Sequence, residues 1–478
     1  MYNSLFIYGF SDKEFLQELY NNFNISYSIH TLDDVKKDQD HRDLIIDNFR
    51  ELPKLNKDAQ KIFIKFYNDH FITFSRMFVR KNRNKMDFHE DSNHFALYFY
   101  AFYEIIINKK IDLIHFQSFP HLGPDYILYH IAKILKIRTV LIYQTIFPQK
   151  YIMLNDIEDL GKIKNNTDNN SKVDHLKILN EKDFYTNIQN RYYEIEKNNR
   201  RKFIKKISNF LSTEKFFRKF FRKFLIKSLI KIHLIKRKDD EKEYKKNLEI
   251  YSSKKETIDN LFNSNKKIIY FPLQSQPELG ALLGKDYDDQ LRVIEKLITL
   301  LGNEWIIIVK DHYIQTSYQR KHFFFKRLSN LKNTYIANPN YSGIELIQKS
   351  DIVATCFGTS GWEALTNKKK CLLFGNSWYS GLSGVLKIDN HTDDEKIFKF
   401  IKEKFNEEKF NLDLSNLYSS FYEGYTVAQW FTKTNKKDEE FDWFDLIDEK
   451  YHKKFDKKEN TKKMINNFKS FLKQNNNI

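Results

Sequence analysis

The stretch that decides the fold is Asp351-Ile352-Val353-Ala354-Thr355-Cys356-Phe357-Gly358-Thr359-Ser360-Gly361-Trp362-Glu363. Asp351–Cys356 is a short apolar run of the kind a buried parallel strand needs. Small residues follow, and then a helical pattern from about Gly361. A strand that turns through glycine into a helix collects free backbone N–H groups and two hydroxyls at the helix start, an arrangement suited to a phosphate. Glu363, one turn in, is placed to accept from ribose hydroxyls. An ordinary strand–helix turn that simply needs glycine gives the same string, so function has to come from its neighbours.

Working outward, the same grammar repeats. Lys267–Leu273, Trp305–Val309, Thr334–Ala337 and Cys371–Phe374 read as strands. Asp288–Leu301, Ser317–Leu328 and Ser342–Gln348 read as the helices between them. Towards the N-terminus, strands at Leu5–Phe10, Ile25–His30, Ile111–Gln117 and Thr139–Tyr143 alternate with helices at Ser11–Asn22, Asp43–Arg80, Ser92–Ile107 and Asp125–Leu135. Strands alternating with helices imply a mainly parallel sheet covered on both faces. The expected fold is α/β, with two Rossmann-like doubly wound domains facing across a cleft and a basic helical insertion between them.

Punctuation sets the expected boundaries. Neither glycine nor proline occurs from Lys162 to Phe271, whereas six of the 13 glycines fall between Gly343 and Gly384. Hence 1–160 reads as an N-terminal domain, 161–262 as a helical connector, 263–435 as a C-terminal domain and 436–478 as a charged helical tail. A chain of 478 residues has room for two such cores. The composition, 41% hydrophobic and 30% charged, is that of a globular protein. Much of the surplus of Phe, Tyr, Lys, Asn and Ile follows AT-rich coding, so single residues of these types carry little weight.

The net charge of +17 is local. Between Arg200 and Lys238 fifteen Lys or Arg meet one acid, Glu214, so this stretch holds fourteen of the seventeen excess charges. From Lys215 it reads as a basic amphipathic helix, with Lys215, Arg218, Lys219, Arg222 and Lys223 around Phe216, Phe220 and Phe224. An anionic membrane surface attracts such a segment by about 1 kcal/mol per basic residue. A solvated linker helix and a nucleic-acid patch are the alternatives. Charge confined to one segment, and not spread along a folded face, argues against nucleic acid. No window is apolar enough to span a bilayer. The N-terminus lacks the basic and apolar regions of a signal peptide, and two cysteines, Cys356 and Cys371, suit a reducing compartment. The expected location is cytoplasmic, peripheral on the inner face of the cytoplasmic membrane.

Ligands of open α/β sheets bind beyond the carboxyl ends of the strands. In the second half this points to Gln274, Gln276 and Glu278, to Lys310 and His312, and to Gly358, Thr359, Ser360, Gly361 and Glu363. In the first half it points to Pro120-His121-Leu122-Gly123-Pro124-Asp125, where His121 and Asp125 are both potential bases and Asp125 is also a natural helix cap. An imidazole at His312 suits a phosphate leaving group. There is no G-x-G-x-x-G and no Walker A loop. Asp38-Gln39-Asp40 and Asp286-Tyr287-Asp288 fit D-x-D formally but sit in charged, turn-like sequence. No His/Cys cluster has zinc spacing, so no metal and no cofactor are expected.

Taken together, Ile269–Glu278, Val309-Lys310-Asp311-His312 and Thr355…Gly358-Thr359-Ser360-Gly361-Trp362-Glu363-Ala364-Leu365 resemble the capsule polysaccharide biosynthesis family. That family contains GT-B-fold glycosyltransferases similar to the bacterial Kdo transferases. Pro120-His121-x-Gly123-x-Asp125-Tyr126 is similar to its N-domain motif. The resemblance covers roughly 265–390 well, 110–145 thinly and 150–260 not at all. One departure is plain, since the family's usual His-Pro pair is His312-Tyr313 here.

The resemblance implies metal-independent transfer of a sugar, often from a CMP-linked acid such as Kdo, onto a growing capsule or lipopolysaccharide glycan. By position, His312 would assist the departing phosphate and Gly358, Thr359 and Ser360 would hold it. Glu363 would lie near the nucleotide, and Asp125 or His121 would activate the acceptor. The implied partners are a nucleotide-activated sugar, a glycan or lipid-linked glycan acceptor and an anionic membrane surface, with no nucleic acid. The alternatives are a phospho-group transferase with a cytidine-linked donor and a non-catalytic partner in capsule assembly.

Overall fold

A computed structural model of the chain describes residues 2–7, 13–30, 38–40, 56–78, 88–147, 149–163, 242–274, 289–312, 320–338, 341–426 and 456–474, with the single residues Gly284, Tyr287 and Gln315. The basic run 200–238 lies outside these residues, as do Gln276, Glu278 and the second D-x-D acids, Asp286 and Asp288.

Two sheets organise the chain. The first has seven strands: β1 Ser4–Ile7, β2 Ile25–His30, β3 Gln39–Asp40, β4 Leu113–Phe116, β5 Arg138–Gln144, β6 Lys150–Leu154 and, from far along the chain, β13 Tyr422–Glu423. Its order is β13-β6-β5-β4-β1-β2-β3. β1 to β5 pair in parallel, whereas β6 and β13 close the edge antiparallel. The second sheet has six strands, β7 Lys267–Pro272, β8 Trp305–Lys310, β9 Thr334–Ala337, β10 Ile352–Thr355, β11 Lys370–Leu373 and β12 Val385–Lys387. All pair in parallel in the order β12-β11-β10-β7-β8-β9. Counted within the domain that is 3-2-1-4-5-6, the doubly wound order, whose switch point lies between β7 and β10. The α/β expectation therefore holds, with two parallel-sheet domains.

The strands are apolar because both faces are covered. Ile269, Phe271, Ile307 and Val309 face one side, where the helix Gln290–Leu301 packs. Ile268, Tyr270, Ile306 and Ile308 face the other, with Ile258, Leu346 and Ile347. Helix starts follow their caps: Asp289 accepts from the Leu291 N–H, Ser342 from Glu345 and Asp393 from Glu395.

Three observations redraw the expected boundaries. Leu248, from a helix over 242–251, and Ile258, from the helix Lys255–Phe262, are buried in the second domain's cores. Residues 242–262 thus belong to that domain and not to a free connector. At the other end β13 leaves the expected 263–435 unit and pairs with β6, Tyr422 opposite Tyr151. The helix Lys457–Gln474 then lies on the first sheet, where Phe468 packs against Phe6, Phe23 and His115. That helix is part of the first domain's core. β3 covers Gln39–Asp40 of the first D-x-D, and Asp38 accepts from the Ser28 N–H at 2.8 Å, which gives that acid a structural partner.

The two domains share apolar contacts. Phe147 packs edge-on to Trp362 and Trp378, and these join the core beneath the helices Lys57–Phe78, Phe88–Asn108 and Pro124–Ile134. A polar seam lies beside it, where Ser380 donates to the Leu160 carbonyl at 3.0 Å and Asn376 donates to Glu158 at 3.5 Å. Arg76, near the end of the helix Lys57–Phe78, feels the charges of Asp289 and Arg292 across the domain boundary.

Candidate functional site

The second domain's switch point is built from the chain ends after β7, β8 and β10. Gln274 follows β7 and is clamped on its backbone by Gln290, which accepts from the Gln274 N–H at 2.7 Å and donates to its carbonyl at 3.1 Å. The Gln274 amide then reaches Thr355 Oγ1 at 3.2 Å on β10. Gly358 sits directly against it. Its φ is +88°, and a Cβ there would run into Gln274 Oε1, so both backbone and space require glycine. Tyr379 Oη donates to the Gly358 carbonyl at 2.6 Å, and a Cβ on Gly361 would strike the Tyr379 ring. The glycines expected to shape this turn do so.

Polar side chains gather on that frame. Thr359 Oγ1 donates to Glu363 Oε1 at 3.0 Å, so its hydroxyl is spent on the carboxylate and not on capping the short helix Ser360–Thr366. Burial raises the Glu363 carboxyl pKa, while the Thr359 bond and the Lys310 charge pull it back. Burial lowers the Lys310 ammonium pKa and Glu363 opposes that shift. Each charge thus opposes the shift that burial imposes on the other. Tyr270 lies close enough for the Glu363 charge to act on its phenol.

His312, two residues past Lys310, is half-buried. Burial, with Lys310 second, lowers its imidazole to about 4, so it is neutral at pH 7. Its backbone N–H donates to Asp311 Oδ1 at 2.7 Å. Asp311 is 2% exposed and pairs with Arg320, which is 0% exposed.

In the first domain, Asp125 is committed to its turn. Its Oδ2 accepts from the His121 N–H at 2.9 Å, and its Oδ1 accepts from Leu122 and Tyr126 at 2.8 and 2.9 Å. His121 Nδ1 lies 2.6 Å from the Phe119 carbonyl. A carbonyl only accepts, so Nδ1 carries the proton and a neutral ring presents Nε2 as an acceptor.

Sequence reasoning found Gln274, Lys310, His312, Gly358, Thr359, Gly361 and Glu363 on one edge, and His121 with Asp125 on another. Ser360 begins the helix beside Thr359. It missed Gln290, Tyr270, Tyr379, Arg320 and Tyr244. Only Gln290 had a local signal, as the first residue of a capped helix. Among the described residues no three His, Cys, Asp or Glu side chains are grouped to hold a metal, and no helix is long and apolar enough to cross a membrane.

Residues 154–423 match the family model described as capsule polysaccharide biosynthesis protein. The chain belongs to that family. The matched span runs through 154–260, where the sequence reading found no family motif, and stops short of the Pro120–Tyr126 turn. No curated protein matches. Among solved structures the chain is similar to the β-Kdo 2,7 transferase of Thermosulfurimonas dismutans KpsC, at 15% identity and TM-score 0.22, over 36% of this chain. It spans about half of that protein, 53%. The β-Kdo 2,4 transferase of the same KpsC matches at 10% identity and TM-score 0.30, over 67% of this chain and 86% of that one. The UDP-GlcNAc 2-epimerase of Methanocaldococcus jannaschii, in complex with UDP-GlcNAc and UDP, matches at 13% identity and TM-score 0.25, over 87% and 98%.

Proposed function

We propose that this member of the capsule family is a glycosyltransferase that moves a sugar from a nucleotide donor to a growing capsule glycan. The observation that carries the reading is the cluster of Lys310, His312, Thr359 and Glu363 at the carboxyl edge of the second sheet, beside its switch point. In this reading the donor phosphates lie against Lys310 and the Ser360 hydroxyl, with the nucleoside towards Gln274 and the Glu363 carboxylate that the Thr359 hydroxyl holds. Gln276 and Glu278, which follow Gln274 in sequence, are proposed as further donor-side residues.

The acceptor hydroxyl attacks the anomeric carbon while the bond from that carbon to the phosphate oxygen breaks. Its proton goes to His121 Nε2, the nitrogen that the Phe119 carbonyl leaves as acceptor. Asp125, with both oxygens held by backbone N–H groups, shapes the turn that carries His121. The leaving phosphate gathers charge beside Lys310 and His312, the electrostatic term that dominates such transfers. A neutral His312 donates a hydrogen bond. An arriving phosphate dianion raises its pKa towards the ordinary imidazole value and so recruits a proton to the leaving group. The reaction so written needs no metal. The basic segment from Lys215 to Phe224 would hold the enzyme against the anionic inner face of the membrane, where a lipid-linked acceptor is available.

Mass analysis of products tests the reading. The full chain is incubated with CMP-, UDP- and GDP-linked sugars and a CDP-linked polyol, with and without EDTA. A glycan heavier by one sugar residue, with EDTA present, is the expected result. Mass gained as a polyol phosphate would replace it with phospho-group transfer. No product from any donor would leave the assembly-partner reading in its place.

A further inference from the structure

The buried Asp311–Arg320 pair is an unusual thing for a domain to carry at a loop. Taking both charges out of water is costly, and a well-packed apolar pair is often as stable, so the pair is poorly explained as cement. Its partners say more. Arg320 Nη2 also donates to the Gln274 carbonyl, and the guanidinium lies 5.3 Å from the centre of the Phe324 ring. Asp311 gives one oxygen to the His312 N–H and the other to Tyr244 Oη at 2.5 Å. Gln274 in turn carries the contact on to Thr355 and Gly358. One cation thereby ties the chain ends after β7 and β8 and, through Gln274, the end of β10. Burial brings the Arg320 pKa down to about 9, which leaves it charged at neutral pH.

We infer that Arg320 and Tyr244 are positioning residues that act through Asp311 to fix His312 against the donor phosphates. Neither touches the reacting atoms. Arg320 sets the distance between the Gln274 and His312 loops, because a planar fork reaches the Gln274 carbonyl and the Asp311 carboxylate at once and an ammonium does not. Tyr244 stops the Asp311 carboxylate from rotating away from the His312 N–H. The inference rests on the reading of His312 as the group that meets the leaving phosphate.

The test uses Tyr244→Phe, which deletes one hydroxyl, and Arg320→Lys, which keeps the charge, each made in the wild-type and in the His312→Ala background of the full chain. Amide hydrogen exchange at His312, melting temperature, and kcat and KM for the sugar donor are read together. Positioning predicts faster exchange at His312 in both variants. It also predicts a melting temperature near wild type for Tyr244→Phe and a fall in kcat of about tenfold, with donor KM little changed, since small misplacements are costly. In the His312→Ala background the same substitution should cost nothing further, because the group it positions is gone. An equal loss in both backgrounds, or unchanged exchange at His312 in both variants, overturns the inference. If the wild-type chain transfers no sugar, the functional reading fails while the exchange comparison still decides whether Tyr244 and Arg320 hold His312.

Discussion

His121 and His312 each follow the carboxyl end of a parallel strand, but on opposite sides of the first strand of their sheets: His121 follows β4, which matches β10 in the second order, and His312 follows β8, which matches β2 in the first. They are built for opposite work. His121 sits on a stiff turn. Its ring is oriented by a carbonyl on Nδ1, and its loop is pinned by three N–H bonds to Asp125. His312 is pinned through its backbone to a buried ion pair, and its ring lies in a dehydrated place beside a lysine. The first arrangement fixes a lone pair in space. The second holds an imidazole that burial, with the Lys310 charge, keeps neutral at pH 7. The fold supplies position, and the local partners decide the chemistry.

The largest expected effect breaks the comparison outright. His121→Ala and His312→Ala should each lower kcat by roughly 10² or more, as loss of a general base or acid does. Their pH dependence should differ. Loss of the base flattens the acidic limb of the profile, and loss of His312 removes proton uptake on donor binding, read as the buffer dependence of binding heat. Identical profiles for the two variants would show that the two histidines are not differentiated.

A smaller effect comes from titration. His312 and His70 are lowered to about 4 and His115 to about 3, each chiefly by burial, and His130 is also lowered. The unfolded chain therefore binds protons on these rings below about pH 6.5 while the folded chain does not. Stability should be fully present above pH 6.5 and fall as pH drops towards 4. Each such ring contributes up to about 1.4 kcal/mol per pH unit over that window. Urea midpoints measured from pH 7.5 to 4.5 check the slope, and His115→Gln should reduce it.

Gly358→Ala sharpens the picture of the switch point. A left-handed φ and the Gln274 amide both oppose a Cβ, so a cost of about 1–3 kcal/mol is expected, read as a lower urea midpoint. Pairing with Gln274→Ala, which makes room, should recover part of it. Smallest of all, Glu363→Gln removes the charge that supports the Lys310 ammonium. The Lys310 pKa should fall further, and donor affinity should weaken more steeply as pH rises above neutral than in the wild-type chain.

Much of this was legible in the sequence, and unevenly. The strand–glycine–helix turn at Gly358 announced itself because its constraint is local, and alternating apolar runs revealed both sheets because buried parallel strands must be apolar throughout. Lys310 and His312 followed from their place at a strand end. What escaped was long-range. Tyr244 lies in a stretch that reads as connector, and nothing in its neighbourhood says that its hydroxyl meets Asp311 far along the chain. Arg320 looks like one more basic residue among 80 until burial singles it out. β13 is two residues long and has no pattern of its own, so its return to the first sheet is set by tertiary pairing alone. Asp125 is not the helix cap its sequence position suggests: the cap position is Gly123, Asp125 is the second residue of the helix, and its oxygens accept from the turn N–H groups of His121 and Leu122 and from Tyr126, bonds that no local pattern announces.

The measurement that tests the central claim most directly is a thermal-shift panel on the full chain and on Lys310→Met with CMP, CDP, UDP and GDP, with and without EDTA. The account predicts that one nucleotide stabilises the wild-type chain, by about 2.7 kcal/mol at a hundredfold excess over its Kd, that EDTA leaves this unchanged, and that Lys310→Met loses most of it. No shift with any nucleotide, or a shift that survives intact in Lys310→Met, would contradict a donor site at the carboxyl edge of the second sheet.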